Sequence, residues 1–165
     1  MQNPSEISPA SGRLGVLLAG LGAVTTTFMA GVFAIRKGLA APTGSLTQMG
    51  TVRLGKRTDG RSPNIKDFVP LASLDDMVFG GWDIFNDNCY EAARNAEVLN
   101  PDLLERVRPE LEAITPWPAV FDQHYVKKLD GPNVKTGVSK RDLADQVIED
   151  IRRFKSEQNV DRLVL

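Results

Sequence analysis

The sequence predicts an α/β fold built on a doubly wound, mostly parallel sheet. Three observations carry this. The run Leu14–Ala19 is unbroken in its apolar character, as expected of a strand buried on both faces of a parallel sheet. Strand-like and helix-like segments alternate along the chain. A tight glycine turn, Gly20-Leu21-Gly22, joins the first strand to a helical pattern.

That turn carries the first functional signal. A strand turning on glycines into a helix N-terminus presents free backbone N–H groups to an anion. Rossmann-like folds hold a pyrophosphate in this way. The G-x-G-x-x-G pattern places its third glycine at Thr25, so the match is G-x-G-x-x-T. Two other readings account for the same residues. The uncharged run Leu14–Ile35 is long enough to span a bilayer, but Gly20, Gly22, Thr25, Thr26 and Thr27 occupy its centre. An ordinary strand–turn–helix without a ligand also fits, since one Gly-x-Gly is a weak signal.

The helix after the turn is expected from about Thr25 to Lys37, with Phe28, Val32 and Ile35 at helical spacing and Gly38 to end it. A second strand is expected around Thr47–Leu54, followed by a polar loop, Gly55–Pro63. That loop carries Lys56, Arg57 and Arg61, which either contact a phosphate or are plain solvated surface. A third strand, Met77–Phe79, runs into Gly80-Gly81-Trp82-Asp83-Ile84. Helices follow over Asp87–Leu99 and from Pro101 onward, the second opened by Asn100 as N-cap and interrupted by Pro109. Trp117–Phe121 reads as a short strand and Asp130–Gly137 as turns. Ser139–Glu157 reads as a helix capped by Ser139 with Asp142 as its capping-box partner. Its buried stripe is Leu143, Val147, Ile151 and Phe154, and Glu149 with Arg153 forms an outer i,i+4 pair. The last residues, Asp161–Leu165, look like the start of another buried strand, so the fold reads as truncated. Residues 1–11, rich in Pro and Ser, read as a flexible tail, with the domain over 12–165.

Composition narrows the function. At 165 residues, with 42% hydrophobic and 25% charged residues, the chain suffices for one domain with a real core. Twenty basic against 21 acidic residues leave a net charge of −1, without the electrostatic basis for nucleic-acid binding. The lone Cys89 excludes an internal disulfide and a multi-cysteine zinc site, and fits a reducing cytoplasm. No Ser, Cys or His forms a recognisable nucleophile–base pair. His124 reads as a structural or surface residue rather than a general base, and Asp122 as a minor candidate at the strand edge.

Asp83 is the sharper candidate. It follows a strand and so lies at the carboxyl edge of the sheet, where open α/β folds bind ligands. A carboxylate there accepts hydrogen bonds from a ribose diol. The usual ribose-binding acid comes about 20 residues after the glycine turn, at the end of the second strand. The corresponding stretch here, Thr43–Met49, has no acid, so Asp83 takes the role from the third strand in this reading. A helix N-cap or turn aspartate explains Asp83 equally well. Gly80-Gly81 are either turn glycines or a place where a ligand approaches the backbone, and Trp82 is read as a core aromatic rather than an adenine stacker.

Taken together, Gly44-Ser45-Leu46-Thr47-Gln48, Thr51-Val52-Arg53-Leu54-Gly55, Val78-Phe79-Gly80-Gly81-Trp82-Asp83-Ile84, Arg108-Pro109 and Asp161-Arg162-Leu163-Val164 resemble the myo-inositol-1-phosphate synthase family from about Gly12 to the end. The resemblance implies an NAD-dependent isomerase of inositol and phospholipid biosynthesis. Such enzymes convert D-glucose 6-phosphate to 1D-myo-inositol 3-phosphate by oxidation at C5, enolisation, aldol closure and reduction by the same NADH. It implies cofactor contacts at Gly20, Leu21, Gly22, Ala23, Val24, Asp83, Ala119 and Val120, with no catalytic residue and no metal ligand in this stretch. The turn departs from the family at Ala23-Val24-Thr25, where many members carry asparagines and a further glycine, and Thr25 is expected to help hold the pyrophosphate through its hydroxyl and the helix N–H groups. The family's catalytic lysines, substrate phosphate site and oligomerisation sheet lie beyond residue 165. The resemblance therefore implies the amino-terminal, NAD-binding portion of a cytoplasmic homotetramer, with no nucleic-acid or membrane partner. A stand-alone nucleotide-binding module without catalysis is the alternative.

Overall fold

The structure, a computed structural model, describes residues 11–165. Apart from Ser11, the expected tail lies outside the described residues. Elements in chain order are β1 (Arg13–Ala19), α1 (Ala23–Arg36), α2 (Leu46–Met49), α3 (Ile65–Phe68), β2 (Met77–Asp83), α4 (Cys89–Ala96), α5 (Pro101–Arg106), α6 (Arg108–Glu112), β3 (Trp117–Pro118), α7 (Lys140–Glu157) and β4 (Val160–Val164). The strands form one parallel sheet in the order β3-β2-β1-β4. This is the order of half of a dinucleotide-binding sheet extended by one strand, with the reversal between β1 and β4. The predicted doubly wound α/β class is what forms.

Side chains alternate across β1 as the strand period requires. Val16 and Leu18 pack on one face against α1, α4, α5 and α6, with Met29, Phe33, Phe79, Val107 and Leu111 at the centre of that core. Leu17 points to the other face, where Trp82, Phe154 and Val160 form a smaller core under α7. No helix among the described residues is long and apolar enough to cross a membrane. The uncharged run Leu14–Ile35 divides into β1, the glycine turn and α1. The buried stripe of α1 is Thr26, Met29, Ala30, Val32, Phe33 and Ala34. Phe28, expected inside, is 41% exposed: Met29 and Phe33 take the centre of the buried face, and Phe28 sits at its margin, edge-on to Phe79 at 5.6 Å.

Two elements depart from the sequence reading. Thr47–Leu54 does not join the sheet. Its first part is the single turn α2, and Thr51 makes an antiparallel bridge to Asn64. Val52 N–H donates to Pro63 O at 3.0 Å and Leu54 N–H to Arg61 O at 2.9 Å, closing a local loop around Gly55 and Gly60. Residues 37–76 are therefore an excursion between α1 and β2, and β2 is the second strand rather than the third. Gly80 and Gly81 lie inside β2, not in a turn. A Cβ on Gly80 would come within 3.0 Å of Phe154 and Trp117, and one on Gly81 within 2.2 Å of the Leu18 carbonyl oxygen. Both glycines serve packing on the sheet.

The remaining differences are local. The helix expected over Asp87–Leu99 is the shorter α4, capped by a reciprocal Asn88–Glu91 box and ended by Glu97 at φ 53°. The interruption expected at Pro109 occurs, as the break between α5 and α6 at Val107. Only Trp117–Pro118 of the WPAVF segment pairs as strand, and Ala119 bridges to Val134. Ser139 caps α7, but the Asp142 carboxylate accepts from Val138 N–H at 3.0 Å, one residue earlier than a capping box. Arg153 pairs with Asp150 at 2.9 Å instead of with Glu149.

Candidate functional site

The site is built where β1 and β2 end. Ala19 pairs with Trp82, and Gly20 N–H donates to Trp82 O at 2.8 Å, so the glycine turn starts level with Asp83. Gly20 has φ +95°, a conformation that favours glycine, and neither Gly20 nor Gly22 has any atom within 4 Å of where a Cβ would stand. That open cradle is space for a ligand against the backbone. Gly22 is the N-cap of α1 and has no side-chain cap. No acidic residue lies in the first turn. The leading N–H groups and positive end of a 14-residue helix thus face outward with no acid of the helix itself to neutralise them.

Asp83 fastens this turn. Its Oδ2 accepts from Leu21 N–H at 2.6 Å and its Oδ1 from Phe85 N–H at 3.0 Å. An ionised carboxylate has about four acceptor positions, so two remain for a diol. Asp83 is the last residue of the second strand, where the ribose-binding acid belongs. The spacing of about 20 residues fails only because the excursion of residues 37–76 lengthens the connection. The third glycine is replaced in a defined way. Thr25 Oγ1 donates to Gly20 O at 2.8 Å and ties the helix back to the turn, while Thr26, not Thr25, is buried and donates to Gly22 O at 3.1 Å.

Two hollows meet at Asp83. The larger, about 570 Å³, lies on the α7 side and is lined by Gly20, Gly22, Trp82, Ala119 and Val120 together with Val147 of α7. The smaller, about 340 Å³, lies on the α4 side and is lined by Leu21, Ala23, Asp87 and Asn95. Gly22, Asp83 and Phe85 line both. A ligand of two halves joined by a pyrophosphate fits this arrangement, with the join at the uncapped helix end.

Every expected cofactor residue falls at this edge, but in unequal roles. Leu21 has its side chain buried and its N–H committed to Asp83. Val24 is 86% exposed, outside both hollows, and contributes only its position in the first turn of α1. Trp82 is a core aromatic at 6% exposure, as expected of it. Asp122 and His124 line neither hollow; both are exposed, and Asp122 Oδ1 accepts from His124 N–H at 3.0 Å. The Lys56, Arg57 and Arg61 loop is also absent from both linings. Cys89 is fully buried in the α1-side core, and burial together with the Asp83 charge pushes its thiol up to about 12, which makes it inert.

The sequence reading missed Asn133. Its Nδ2 donates to Asp83 O at 2.9 Å and its N–H to Ile84 O at 2.8 Å. It sits in a Gly-Pro-Asn stretch that reads only as a turn. A separate polar hollow of about 430 Å³ near Arg36 and Lys66 lies at the opposite, amino end of β2, and Arg36 there is committed to the carbonyls of Leu74 and Met77.

Known proteins share this whole frame. The family model for the NAD-binding part of myo-inositol-1-phosphate synthase matches residues 14–165. The chain belongs to that family. It is 50% identical over 161 residues to inositol-3-phosphate synthase 1 of Bacteroides thetaiotaomicron, covering 97% of this chain and 37% of the relative. It is 35% identical over 167 residues to the inositol-3-phosphate synthase of Brassica napus, covering 93% and 33%. The crystal structure of inositol-3-phosphate synthase from Caenorhabditis elegans superposes with a TM-score of 0.83 at 31% identity, covering 94% of this chain and 34% of that one. The chain thus spans about a third of the length of the synthases it matches, and it is their NAD-binding part.

Proposed function

We propose that this chain holds NAD across the Gly20–Gly22 turn for an isomerase that converts D-glucose 6-phosphate to 1D-myo-inositol 3-phosphate in the cytoplasm. The pyrophosphate takes the free N–H groups of Gly22, Ala23, Val24 and Thr25. A ribose diol takes the two remaining acceptor positions of Asp83, and Ala119 and Val120 cover the adenosine half. When bound, the dinucleotide supplies an oxidant that takes a hydride from the sugar phosphate and returns it in the same turnover. The residues described here bind and orient. The hollows are lined by apolar side chains, glycines, the carboxylates of Asp83 and Asp87 and the Asn95 amide, and offer no lysine or histidine to move a substrate proton. The chain by itself binds NAD and leaves glucose 6-phosphate unchanged, and a full-length synthase assembles as a homo-oligomer around this domain.

The observation that carries the reading is the 2.6 Å bond from Leu21 N–H to Asp83, which joins the glycine turn and the acid into one rigid edge. Calorimetric titration of NAD onto the chain and onto Asp83→Asn tests it. The amide still accepts from Leu21 but loses the charge. NAD binding weakens by at least about tenfold, the scale of a hydrogen bond to a charged group. Equal affinity in the two proteins removes Asp83 from the site.

A further inference from the structure

The buried face of α7 carries one carboxylate. Asp150 is 4% exposed, yet both its oxygens are occupied. Oδ2 accepts from the Trp82 indole Nε1–H and from Lys135 Nζ, each at 2.8 Å, and Oδ1 accepts from Arg153 at 2.9 Å. The Lys135 side chain is itself only 10% exposed. Burial works against the charged form of Asp150. The hydrogen bonds from Lys135 and Trp82, with the charges of Lys135 and Arg153, outweigh it and hold the carboxyl below its usual range. The centre is fully satisfied, and such centres rigidify what they join.

What it joins is the wall of the larger hollow. Trp82 lines that hollow directly. Lys135 belongs to a segment that hangs on the end of the sheet by a ladder of single bonds. Lys135 N–H donates to Ala119 O at 2.8 Å, Ala119 N–H to Asn133 O at 2.9 Å, and Asn133 reaches Ile84 O and Asp83 O. The Lys135 ammonium ties this segment to α7. Buried ion pairs are often replaceable by apolar side chains at no loss of stability, so stability alone is a weak reason for this one.

We propose that Asp150 is a positioning residue for dinucleotide binding. It fixes Trp82 and residues 133–135 so that the Ala119–Val120 wall keeps its distance from the glycine turn and Asp83. This rests on the NAD reading above, and the two fail differently.

The test compares the wild-type chain with Asp150→Asn/Lys135→Met and with Lys135→Met alone. The double variant keeps an acceptor for Trp82, removes the buried Lys135 cation and leaves the half-exposed Arg153 to water, so its melting temperature stays close to that of the wild type. NAD titration gives about tenfold weaker binding in both variants, the scale of a lost charge-assisted contact. Hydrogen exchange without NAD quickens at the Ala119, Asn133 and Lys135 amides in both, and does not change at Leu111. A stable double variant with NAD affinity within about twofold of wild type overturns the assignment of Asp150 and leaves the NAD reading standing. Failure of the wild-type chain to bind NAD overturns the NAD reading, and this proposal with it.

Discussion

Under α1 and α4–α6 the sheet buries thirteen clustered residues among those described, from Leu21 to Leu111, ten of them aliphatic or small and three aromatic. Under α7 it buries four, Leu17, Trp82, Phe154 and Val160, and adds the charged centre at Asp150. On the first face many side chains share the burial. On the second, two buried rings, Trp82 and Phe154, share it with two aliphatic side chains. Phe154 fills the space above Gly15 and Gly80 and meets Trp117 at 5.7 Å in an edge-on contact. The larger hollow opens on this second, thinner face. The contrast shows how one sheet divides its labour. The densely packed face supplies stability, and the sparsely packed face leaves room for a ligand and uses directional polar contacts to keep that room in shape.

Truncating Phe154 is the strongest way to break this contrast. Phe154→Ala costs about 3–5 kcal/mol, against about 2–5 kcal/mol for Leu111→Ala on the other face. Urea unfolding measures both. The comparison sharpens if NAD titration at equal folded fraction shows weaker binding for Phe154→Ala and unchanged binding for Leu111→Ala. It breaks if Leu111→Ala impairs NAD binding as much.

Acid comes next. The native carboxyl of Asp150 is held below its unfolded range, so its stabilisation is fully present above about pH 4 and is lost as pH falls through the lower folded value. Unfolding free energies measured between about pH 5 and pH 2 fall less steeply for Asp150→Asn/Lys135→Met than for the wild type. Identical slopes would mean that the α7 face holds no such charge. The smallest effect is expected at Arg141, 85% exposed and paired with Asp145 on the outer side of α7. Arg141→Ala shifts the unfolding free energy by less than about 0.5 kcal/mol, because an exposed pair is screened by water.

Much of this molecule was legible in the residue string. The strand–turn–helix at Leu14–Arg36, the Asn100 and Ser139 caps, the break near Pro109 and the final strand are set by signals within a few residues of where they act. Asp83 was legible as an acid at a strand end. Its rank was not, because Thr47–Leu54 looks enough like a strand to be counted as one. Only the bonds from Val52 and Leu54 to residues 61–63 show that it closes on itself. The same holds for Gly80 and Gly81, whose neighbours Leu18, Trp117 and Phe154 are distant in sequence.

By itself, the sequence determined the fold class, the glycine turn and the presence of an acid to face it. These depend on local backbone preferences, apolar runs and caps, which a linear string carries. The tertiary structure alone decided that Asp83 grips Leu21 N–H, that Asn133 braces Asp83, and that Asp150 collects Trp82, Lys135 and Arg153. Except for Arg153, one helical turn away, these partners lie 15 to 68 residues apart. A charged side chain chooses among distant donors only once packing has brought them together and removed the water that would otherwise satisfy it.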